Sequence, residues 1–446
     1  MTTVLSRMAD IIEEIKTQSI TENERKELKK ALIDRIGCGL GARRIGIGTE
    51  LNSLIQKDSV NGSSTVWGTN LKTTPDSAAL INGAISSHLE YDTHDAMIPA
   101  VIALGEQRGI GGERVLQSLK IGYFTGAIMR RLLASEVEKR GLHWPAYLGA
   151  FSAAAACSNI LELSKPLTRN AIGIAASLCP VSPFEAFTAG ASVKDLYGGW
   201  GNMLGVKSAT LAASGLTGPD TVFEGKRGLF MNWLGKIPDE KIIETALDIN
   251  EVDMVFHFKP YPCCTAAIPT LTAIEKLLNE YPEIYVEEIL NITIDTYRFG
   301  LSLSEESDPS TPIGAKVNIP FLAASMLVHH RLLPEHTERP WIGDEAIKQL
   351  SSLVSLTCSQ DDAELLSRQR YAHILLEMKN GEHLEAYADA PKWSKEPASR
   401  SEIYSKFMEN VGNLLPDSGK EMILSKIEEI ERVEDIRELT KLLSVA

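Results

Sequence analysis

The stretch Arg140-Gly-Leu-His-Trp-Pro-Ala-Tyr-Leu-Gly-Ala-Phe-Ser-Ala-Ala-Ala-Ala-Cys157 places a histidine where a loop passes into a helix of small residues. From Tyr147 to Leu163 the chain has no proline, one glycine and one charged residue, which predicts a helix buried on all sides. Pro145 fits the first turn of this helix, because the N–H that proline lacks would be unpaired there. The alanines and serines should let neighbouring helices approach closely, so the stretch predicts a tightly packed helical core.

His143 lies at the entrance of this helix, where backbone N–H groups and a partial positive charge favour a carboxylate ligand. Histidine also exchanges a proton near neutral pH, so His143 is a candidate active-site residue. The alternative is that His143 only caps or packs the helix end, as most lone histidines in such positions do. The stretch alone leaves both interpretations open.

Composition and charge limit the kinds of partner. The 446 residues suggest two or three domains, and 44% hydrophobic with 23% charged residues is typical of an ordinary globular protein. The net charge of -14 argues against nucleic acid or an anionic membrane surface as the main partner, although a pocket can still be locally basic. No apolar run is long enough to cross a bilayer, and acidic residues in the first helical segment argue against a signal peptide.

The six cysteines show neither a Cys-x-x-Cys motif nor a spacing typical of metal ligands. Reduced thiols in a cytoplasmic protein are the simplest interpretation, and we expect no zinc or iron–sulfur site. The cysteines are Cys38, Cys157, Cys179, Cys263, Cys264 and Cys358.

The hydrophobic spacing predicts mostly helices in the first part of the chain. Helical spacing runs over 3–18 and 22–42, and Thr21-Glu-Asn-Glu24 reads as a capping box. Further helices are predicted at 75–88, from Ala96, and at 113–133, 168–178 and 203–214.

The pattern changes near residue 255, and after a proline-interrupted link at 256–264 strands appear among the helices. Partial alternation predicts a strand over Ile289–Tyr297, and Tyr371–Tyr387 predicts a hairpin with a type I′ turn at Asn380-Gly381. Helices are expected at 320–333, at 343–356 and again from Glu402. We therefore predict a mainly α fold: an all-helical domain formed by 1–264 together with 393–446, and a smaller α+β lid domain at 265–392.

A polar cluster, Glu90-Tyr-Asp-Thr-His-Asp95, lies between two helices that we expect to be buried. Such a cluster either points to solvent, as loops commonly do, or lines a cleft. Closely spaced Asp and His side chains can hold one another in defined protonation states, which acid–base chemistry requires. The sequence leaves both possibilities open for this segment.

Lys194 lies in a glycine-rich connection between helices, where a ligand would have room to approach the backbone. A solvated surface lysine is the equally plain alternative. The nearby Gly198-Gly-Trp-Gly201 follows no predicted strand, so we do not interpret it as a dinucleotide-binding motif.

Several separated segments share one order and spacing with a known protein family. The segments are Asn82-Gly-Ala, His88-Leu-Glu-Tyr-Asp-Thr-His94, Arg140-Gly-Leu-His143, Lys194…Gly198…Gly205…Gly215-Leu-Thr-Gly-Pro219, Phe258-Lys-Pro-Tyr-Pro-Cys-Cys264, Gly314-Ala-Lys-Val-Asn-Ile-Pro-Phe321 and Ser399–Phe407. Together they resemble the MmgE/PrpD family over nearly the whole chain. The resemblance implies a helical domain with an α+β lid, an active site in the cleft between them, a homodimer, and no metal or organic cofactor.

The resemblance also implies site residues. The functional positions of the family carry over onto Asp92, Thr93, His143 and Lys194. Members that dehydrate or decarboxylate tricarboxylic acids usually carry Asp-Phe-Asp-Asp-Thr followed by His-Pro-Ser before the helix at Ala96. In this chain the segment is shortened to Glu90-Tyr-Asp-Thr-His94 and His-Pro-Ser is missing.

Two further positions differ from the pattern of the family. The histidine that usually follows Lys-Pro-Tyr-Pro falls near Ala267, and the expected aromatic hydroxyl is Phe321. Because acid–base positions are changed, the sequence favours an activity other than plain dehydration.

All chemistry that the resemblance implies starts beside a carboxylate, and it needs a base and groups that stabilise developing negative charge. We expect an epimerase that inverts a stereocentre α to a carboxylate in a small polycarboxylic acid such as iminodisuccinate. His143 and Lys194 are its expected acid–base pair, with Asp92 orienting a histidine and His94 as a further catalytic candidate. The substrate-binding candidates are Thr93, Glu90, Lys259 and Lys316.

Two other functions stay open. The first is a lyase, either a 2-methylcitrate dehydratase or a cis-aconitate-type decarboxylase, that uses the same base. The second is a carboxylate-binding protein without catalytic activity.

Overall fold

The structure, a computed structural model, describes residues 2–56, 62–92, 97–179, 182–250, 252, 254, 256–359 and 370–445. Helices dominate these residues and strands are few, which confirms the predicted mainly α fold with a smaller α+β part.

The first part of the chain is helical apart from one short two-stranded ribbon. Its helices are α1 Val4–Thr17, α2 Glu22–Arg44, α3 Thr49–Gln56, α4 Pro75–His88, α5 Ile98–Arg108, α6 Gly112–Glu138, α7 Pro145–Ile160, α8 Lys165–Leu178, α9 Glu185–Thr188, α10 Leu196–Ala213, α11 Leu229–Leu234 and α12 Glu240–Ala246. The ribbon pairs β1 Ser64–Thr65 with β2 Lys72–Thr73. The capping box predicted at Thr21 and Glu24 is present at the start of α2.

The second part combines helices with a four-stranded sheet. Its helices are α13 Ile268–Glu280, α14 Arg298–Glu305, α15 Pro312–Ala315, α16 Ile319–His329, α17 Glu345–Ser352, α18 Arg400–Val411, α19 Asp417–Glu428 and α20 Arg437–Thr440. The strands are β3 Ile289–Thr296, β4 Val354–Thr357, β5 Ala372–Met378 and β6 His383–Ala388.

Close packing of glycine-bearing helices forms the centre of the helical part. Helix α10 lies against both α7 and α4, and Gly201 and Gly205 bring its backbone onto α7. The predicted helix at 203–214 therefore begins too late, because α10 already starts at Leu196. Glycine disfavours helix locally, but the close approach to two neighbouring helices outweighs that preference here.

The sheet has the order β4-β3-β5-β6, in which β3 and β4 run parallel and the other pairs antiparallel. Buried residues alternate along β3 and β5, and the buried face packs on α13. The predicted helix at 343–356 is wrong in its second half. Helix α17 ends at Ser352 and β4 follows, since the apolar spacing changes from helical to alternating at Val354 and Leu356.

The hairpin β5–β6 forms as predicted, but its turn is not of type I′. A type I′ turn needs positive φ at both central residues, whereas only Gly381 has it here, at 84°. The amide of Met378 bonds the carbonyl of Glu382, and Gly381 N–H donates to Met378 O. The loop thus has three residues and ends on a left-handed glycine, a common alternative for Asn-Gly hairpins.

The end of the chain packs back on its beginning. Helices α18 and α19 lie against α2, and Ile403 and Phe407 belong to the same buried cluster as Leu32 and Ile36. This packing is compatible with a helical domain built from both ends of the chain, although the exact boundaries at 264/265 and 392/393 stay a prediction. None of the described helices combines the length and apolar character that a bilayer crossing requires.

The contact between α10 and α7 gives a direct test of the packing. A Cβ on Gly205 would lie 2.2 Å from the Cβ of Ala153 and 2.7 Å from its carbonyl carbon. We expect Gly205→Ala to lower the free energy of unfolding by about 1–3 kcal/mol in urea titrations, because the two helices would have to separate.

Gly419 in α19 provides the matched control. Its added Cβ would approach nothing closer than 3.6 Å, so Gly419→Ala should raise the free energy of unfolding by up to about 1 kcal/mol through helix propensity alone. Stabilisation by both substitutions would contradict the close packing of α10.

Candidate active site

Glu90 lies between two buried lysines where α4 ends. One of its carboxylate oxygens contacts Lys194 Nζ, and the other lies 2.7 Å from Lys259 Nζ. Lys259 also donates to the backbone carbonyl of Glu90 at 2.9 Å. The exposed fractions are 3% for Lys194 and 1% for Lys259, so the alternative of a surface lysine is wrong for both.

A second group of charges adjoins the first through Asp195, the neighbour of Lys194 in the chain. His88 Nδ1 lies 2.6 Å from Asp195 Oδ2, and His88 Nε2 lies 2.7 Å from Glu338 Oε1. The same oxygen of Glu338 accepts from Lys316 Nζ at 2.5 Å. Lys316 is completely buried, so it too is not a surface lysine.

The two groups are joined because Lys194 and Asp195 are adjacent in the chain, and together they form a series of alternating charges that we call the ionic chain. It contains Lys259, Glu90, Lys194, Asp195, His88, Glu338 and Lys316. Lys316 and Glu338 come from the part with the sheet, whereas Glu90 and Lys194 come from the helical part. The ionic chain therefore crosses the junction where the resemblance places an active site.

The pKa values of His88 and its partners follow from this pairing. Burial and Lys316 lower the pKa of His88, but the two carboxylates on its ring nitrogens outweigh them and raise it. Burial alone would raise the pKa of Asp195 and of Glu338, yet His88 and the neighbouring lysines lower both. We infer that His88 is a charged link between two carboxylates near neutral pH.

The protonation of Lys194 depends on two opposing effects. Burial lowers the pKa of Lys194 to about 7; Asp195 raises it, and the charges of Lys259 and Lys316 lower it. Contact with an ionised Glu90 carboxylate instead favours the charged ammonium group. Burial likewise lowers the pKa of Lys259 to about 8. Both lysines therefore lie in a range where they can exchange protons.

His143 lies beside this cluster in an aromatic setting. Its ring is near Phe184, Phe187 and Tyr197, and Lys194 Nζ lies 4.8 Å from the Phe187 ring centre. Burial, with help from the charge of Lys259, lowers the pKa of His143 to about 3, so the imidazole is neutral at physiological pH. Its Nδ1 is buried and has no hydrogen-bond partner among the described residues.

Within the described residues Asp92 pairs with an arginine, and our expectation that it orients a histidine stays a prediction because His94 lies outside them. The carboxylate of Asp92 contacts the guanidinium of Arg35 from α2, and Arg35 also donates to Ser87 Oγ at 2.9 Å. An arginine buried in α2 needs an anion nearby, and Asp92 supplies it. Asp92 thus fixes the segment that carries Glu90.

Lys406 of α18 contacts both the segment that follows Glu90 and the Lys-Pro-Tyr-Pro segment. It pairs with Asp34 at 2.6 Å and donates to the backbone carbonyls of Tyr91 at 2.5 Å and Lys259 at 3.0 Å. The residues that follow Glu90 and the Lys-Pro-Tyr-Pro segment are thereby tied to one buried ammonium group.

The sequence missed several members of the site. Thr93 and His94 lie outside the described residues, so their predicted roles stay predictions. His88 was visible beside the polar cluster, and Asp195 directly follows Lys194, so both had a local signal. Glu338 and Arg35 had none, because each lies far along the chain from its partner.

No three described His, Cys, Asp or Glu side chains come together as metal ligands would.

Comparison with known proteins gives matches over nearly the whole chain. The model of the MmgE/PrpD N-terminal domain matches residues 6–241, and that of the MmgE/PrpD C-terminal domain matches 261–432. The cis-aconitate decarboxylase-like protein oryM of Aspergillus oryzae is 25% identical over 99% of this chain and 97% of its own. Cis-aconitate decarboxylases of Aspergillus terreus and Homo sapiens are each 25% identical over 99% of this chain and cover 96% and 94% of their own.

The role of Lys406 can be tested through stability. We expect Lys406→Met to lower the free energy of unfolding by about 3–5 kcal/mol, because it removes the cation beside a buried carboxylate and two carbonyls. Urea unfolding followed by fluorescence measures the change.

Lys426→Met is the control for this substitution. Lys426 pairs with Glu438 at 2.9 Å on the surface, so its loss should cost no more than about 1 kcal/mol. Equal effects of the two substitutions would show that the Lys406 contacts are not important for stability.

Proposed function

The chain belongs to the MmgE/PrpD family, and from this premise we propose that it is a cofactor-independent lyase of a small polycarboxylic acid, in the manner of a cis-aconitate decarboxylase. The observation that carries the proposal is the set of three buried lysines, Lys194, Lys259 and Lys316, at the junction of the two parts of the fold. The names of the full-length relatives favour the same activity over the predicted epimerase.

The buried lysines suit a substrate with several carboxylates. Ammonium groups in a poorly hydrated site attract anions more strongly than they would in water. Each of the three already contacts a protein carboxylate, Glu90 or Glu338, so the geometry for carboxylate binding is built in. Binding at one lysine would leave the others to hold the remaining carboxylates of the substrate.

Decarboxylation of cis-aconitate needs one proton donor beside the substrate. The bond to the departing carboxylate breaks, and its electron pair forms a new C=C bond. The π-electron pair of the original C=C bond takes up a proton at the carbon next to another carboxylate. The departing carboxylate leaves as carbon dioxide. Lys194 is our candidate donor, because its pKa near 7 combines a charged form with easy proton transfer. Water then restores the proton to Lys194.

His143 would have a different role in this reaction. It is neutral at physiological pH, so its Nδ1 can accept or donate a hydrogen bond according to the tautomer, but the imidazolium form that would protonate carbon is scarce. It is therefore suited to orient a substrate hydroxyl or carboxyl group rather than to protonate carbon.

The epimerase remains a second candidate because of one observation. His143 and Lys194 both contact Phe187, so two acid–base groups border the same space, as inversion of a stereocentre requires. No relative that we report carries an epimerase name, and we rank this activity below the lyase.

Proton NMR in deuterium oxide separates the two activities. With cis-aconitate we expect loss of carbon dioxide and one deuteron on the carbon that is protonated. Exchange of the α-proton of enantiopure iminodisuccinate, with loss of optical rotation and without carbon dioxide, would instead establish the epimerase. Absence of both reactions would overturn the proposal.

Lys194 can be tested with two substitutions. Lys194→Ala should lower the turnover number by about a hundredfold or more, because the proton donor is lost. Lys194→Arg keeps the positive charge but hardly releases a proton, so it should retain substrate binding while turnover stays low. Circular dichroism checks that both variants are folded.

The pH dependence has a defined sign. A step that needs charged Lys194 runs below its pKa, so in the wild type kcat/KM should fall as the pH rises above about 7. His143, with its pKa at about 3, should add no change between pH 5 and 9. A rate that rises with pH across this range would exclude Lys194 as the donor.

A further inference from the structure

The carboxylate of Glu90 has the placement that a bound carboxylate ligand would need. One oxygen contacts Lys194 and the other accepts from Lys259 at 2.7 Å, so the group bridges two ammonium ions. A carboxylate of a substrate has the same shape and charge. It would compete with Glu90 for the same two lysines.

The two lysines are not equally dependent on Glu90. Lys259 keeps a partner when the side chain turns away, because it also donates to the Glu90 carbonyl at 2.9 Å. For Lys194, Glu90 is the carboxylate in contact within the described part of the chain, and the Phe187 ring lies on another side of its ammonium group. Loss of Glu90 therefore frees Lys194 in particular, the residue with the proposed chemical role.

The backbone conformation of Glu90 indicates that its side chain has a specific role. Its φ is +50°, in the left-handed region just after the end of α4, where glycine is usual. A side chain in this conformation is held by its surroundings, and at a functional site that points to a role for the side chain. Here the surroundings are the two lysines.

We propose that Glu90 occupies the carboxylate subsite between Lys194 and Lys259 and that substrate binds by displacing it, so Glu90 sets both affinity and selectivity. The inference rests on the proposed function, because it assigns a ligand class to the same site. A tethered carboxylate has a high effective concentration, so a ligand with a single weakly held carboxylate cannot displace it. A polycarboxylate succeeds because its other carboxylates bind elsewhere in the ionic chain.

Displacement would also affect the chemistry. One carboxylate of the substrate replaces Glu90 while its other carboxylates bind elsewhere in the ionic chain. Lys194 then faces the substrate rather than the protein. Its proton then lies beside the carbon framework of the ligand. Glu90 is thus a positioning residue for this reaction and does not itself transfer the proton.

Isothermal titration with propane-1,2,3-tricarboxylate tests the proposal without any turnover. This saturated tricarboxylate has no double bond or hydroxyl group, so it can bind but not react. We expect Glu90→Gln to bind it about tenfold more tightly than the wild type, because the neutral amide competes poorly for the two lysines.

Glu335→Gln is the matched control, because it removes one negative charge that pairs with Arg44 and lies outside the ionic chain. The affinity of this variant for the tricarboxylate should change less than about threefold, because only the general electrostatic field of the protein changes. Unchanged or weaker binding by Glu90→Gln overturns the proposal, as does an equal gain in both variants.

If Glu90→Gln does not fold, Glu90→Asp decides the question with the same titration. Aspartate keeps the charge but is one methylene too short to bridge both lysines, so binding should again become tighter, and unchanged affinity overturns the proposal. Tighter binding together with no turnover of cis-aconitate by the wild type would support the Glu90 inference and refute the lyase. The two failures are therefore distinguishable.

Discussion

The desolvation of lysine side chains is the constraint on which this structure depends. A buried ammonium group is costly unless a carboxylate or several carbonyls face it. Within the described residues, Lys194 and Lys259 share Glu90, Lys316 pairs with Glu338, and Lys406 is faced by Asp34 and two carbonyls. Assembly of the site is linked to assembly of the two parts of the fold through His88, whose ring contacts Asp195 of the helical part and Glu338 of the part with the sheet.

The glycine-rich helices explain how these segments come together. Gly199 of α10 brings its backbone against α4, and Gly201 and Gly205 bring it against α7. The end of α4, which carries His88 and leads to Glu90, thereby meets the start of α10, which follows Lys194. Larger side chains would separate these helix ends and lengthen the ionic contacts. Glycine lowers the stability of a helix, but here it permits the close helix packing that the geometry of the charged site requires.

The sequence predicted the local parts of this arrangement and missed the distant ones. Most helices and the hairpin follow from hydrophobic spacing, and Lys194 is a candidate both from its glycine-rich connection and from the family resemblance. The pairing of Asp92 with Arg35 was out of reach, because only the fold brings α2 beside the end of α4. For the same reason Glu338 has no local signal, and the sequence predicts helix at β4 because only the fold brings it beside β3.

The difference in basicity between His143 and Lys194 bears on the kind of reaction. An epimerase with two acid–base groups needs one to remove a proton and the other to return one. At pH 7 a histidine with its pKa at about 3 is protonated in about one molecule in ten thousand, and as a base it is weak. A polyanionic substrate would have to raise that pKa by several units before His143 could serve on one face. Decarboxylation needs only a single proton donor. Lys194, beside Phe187, meets that requirement without any such rise in its pKa.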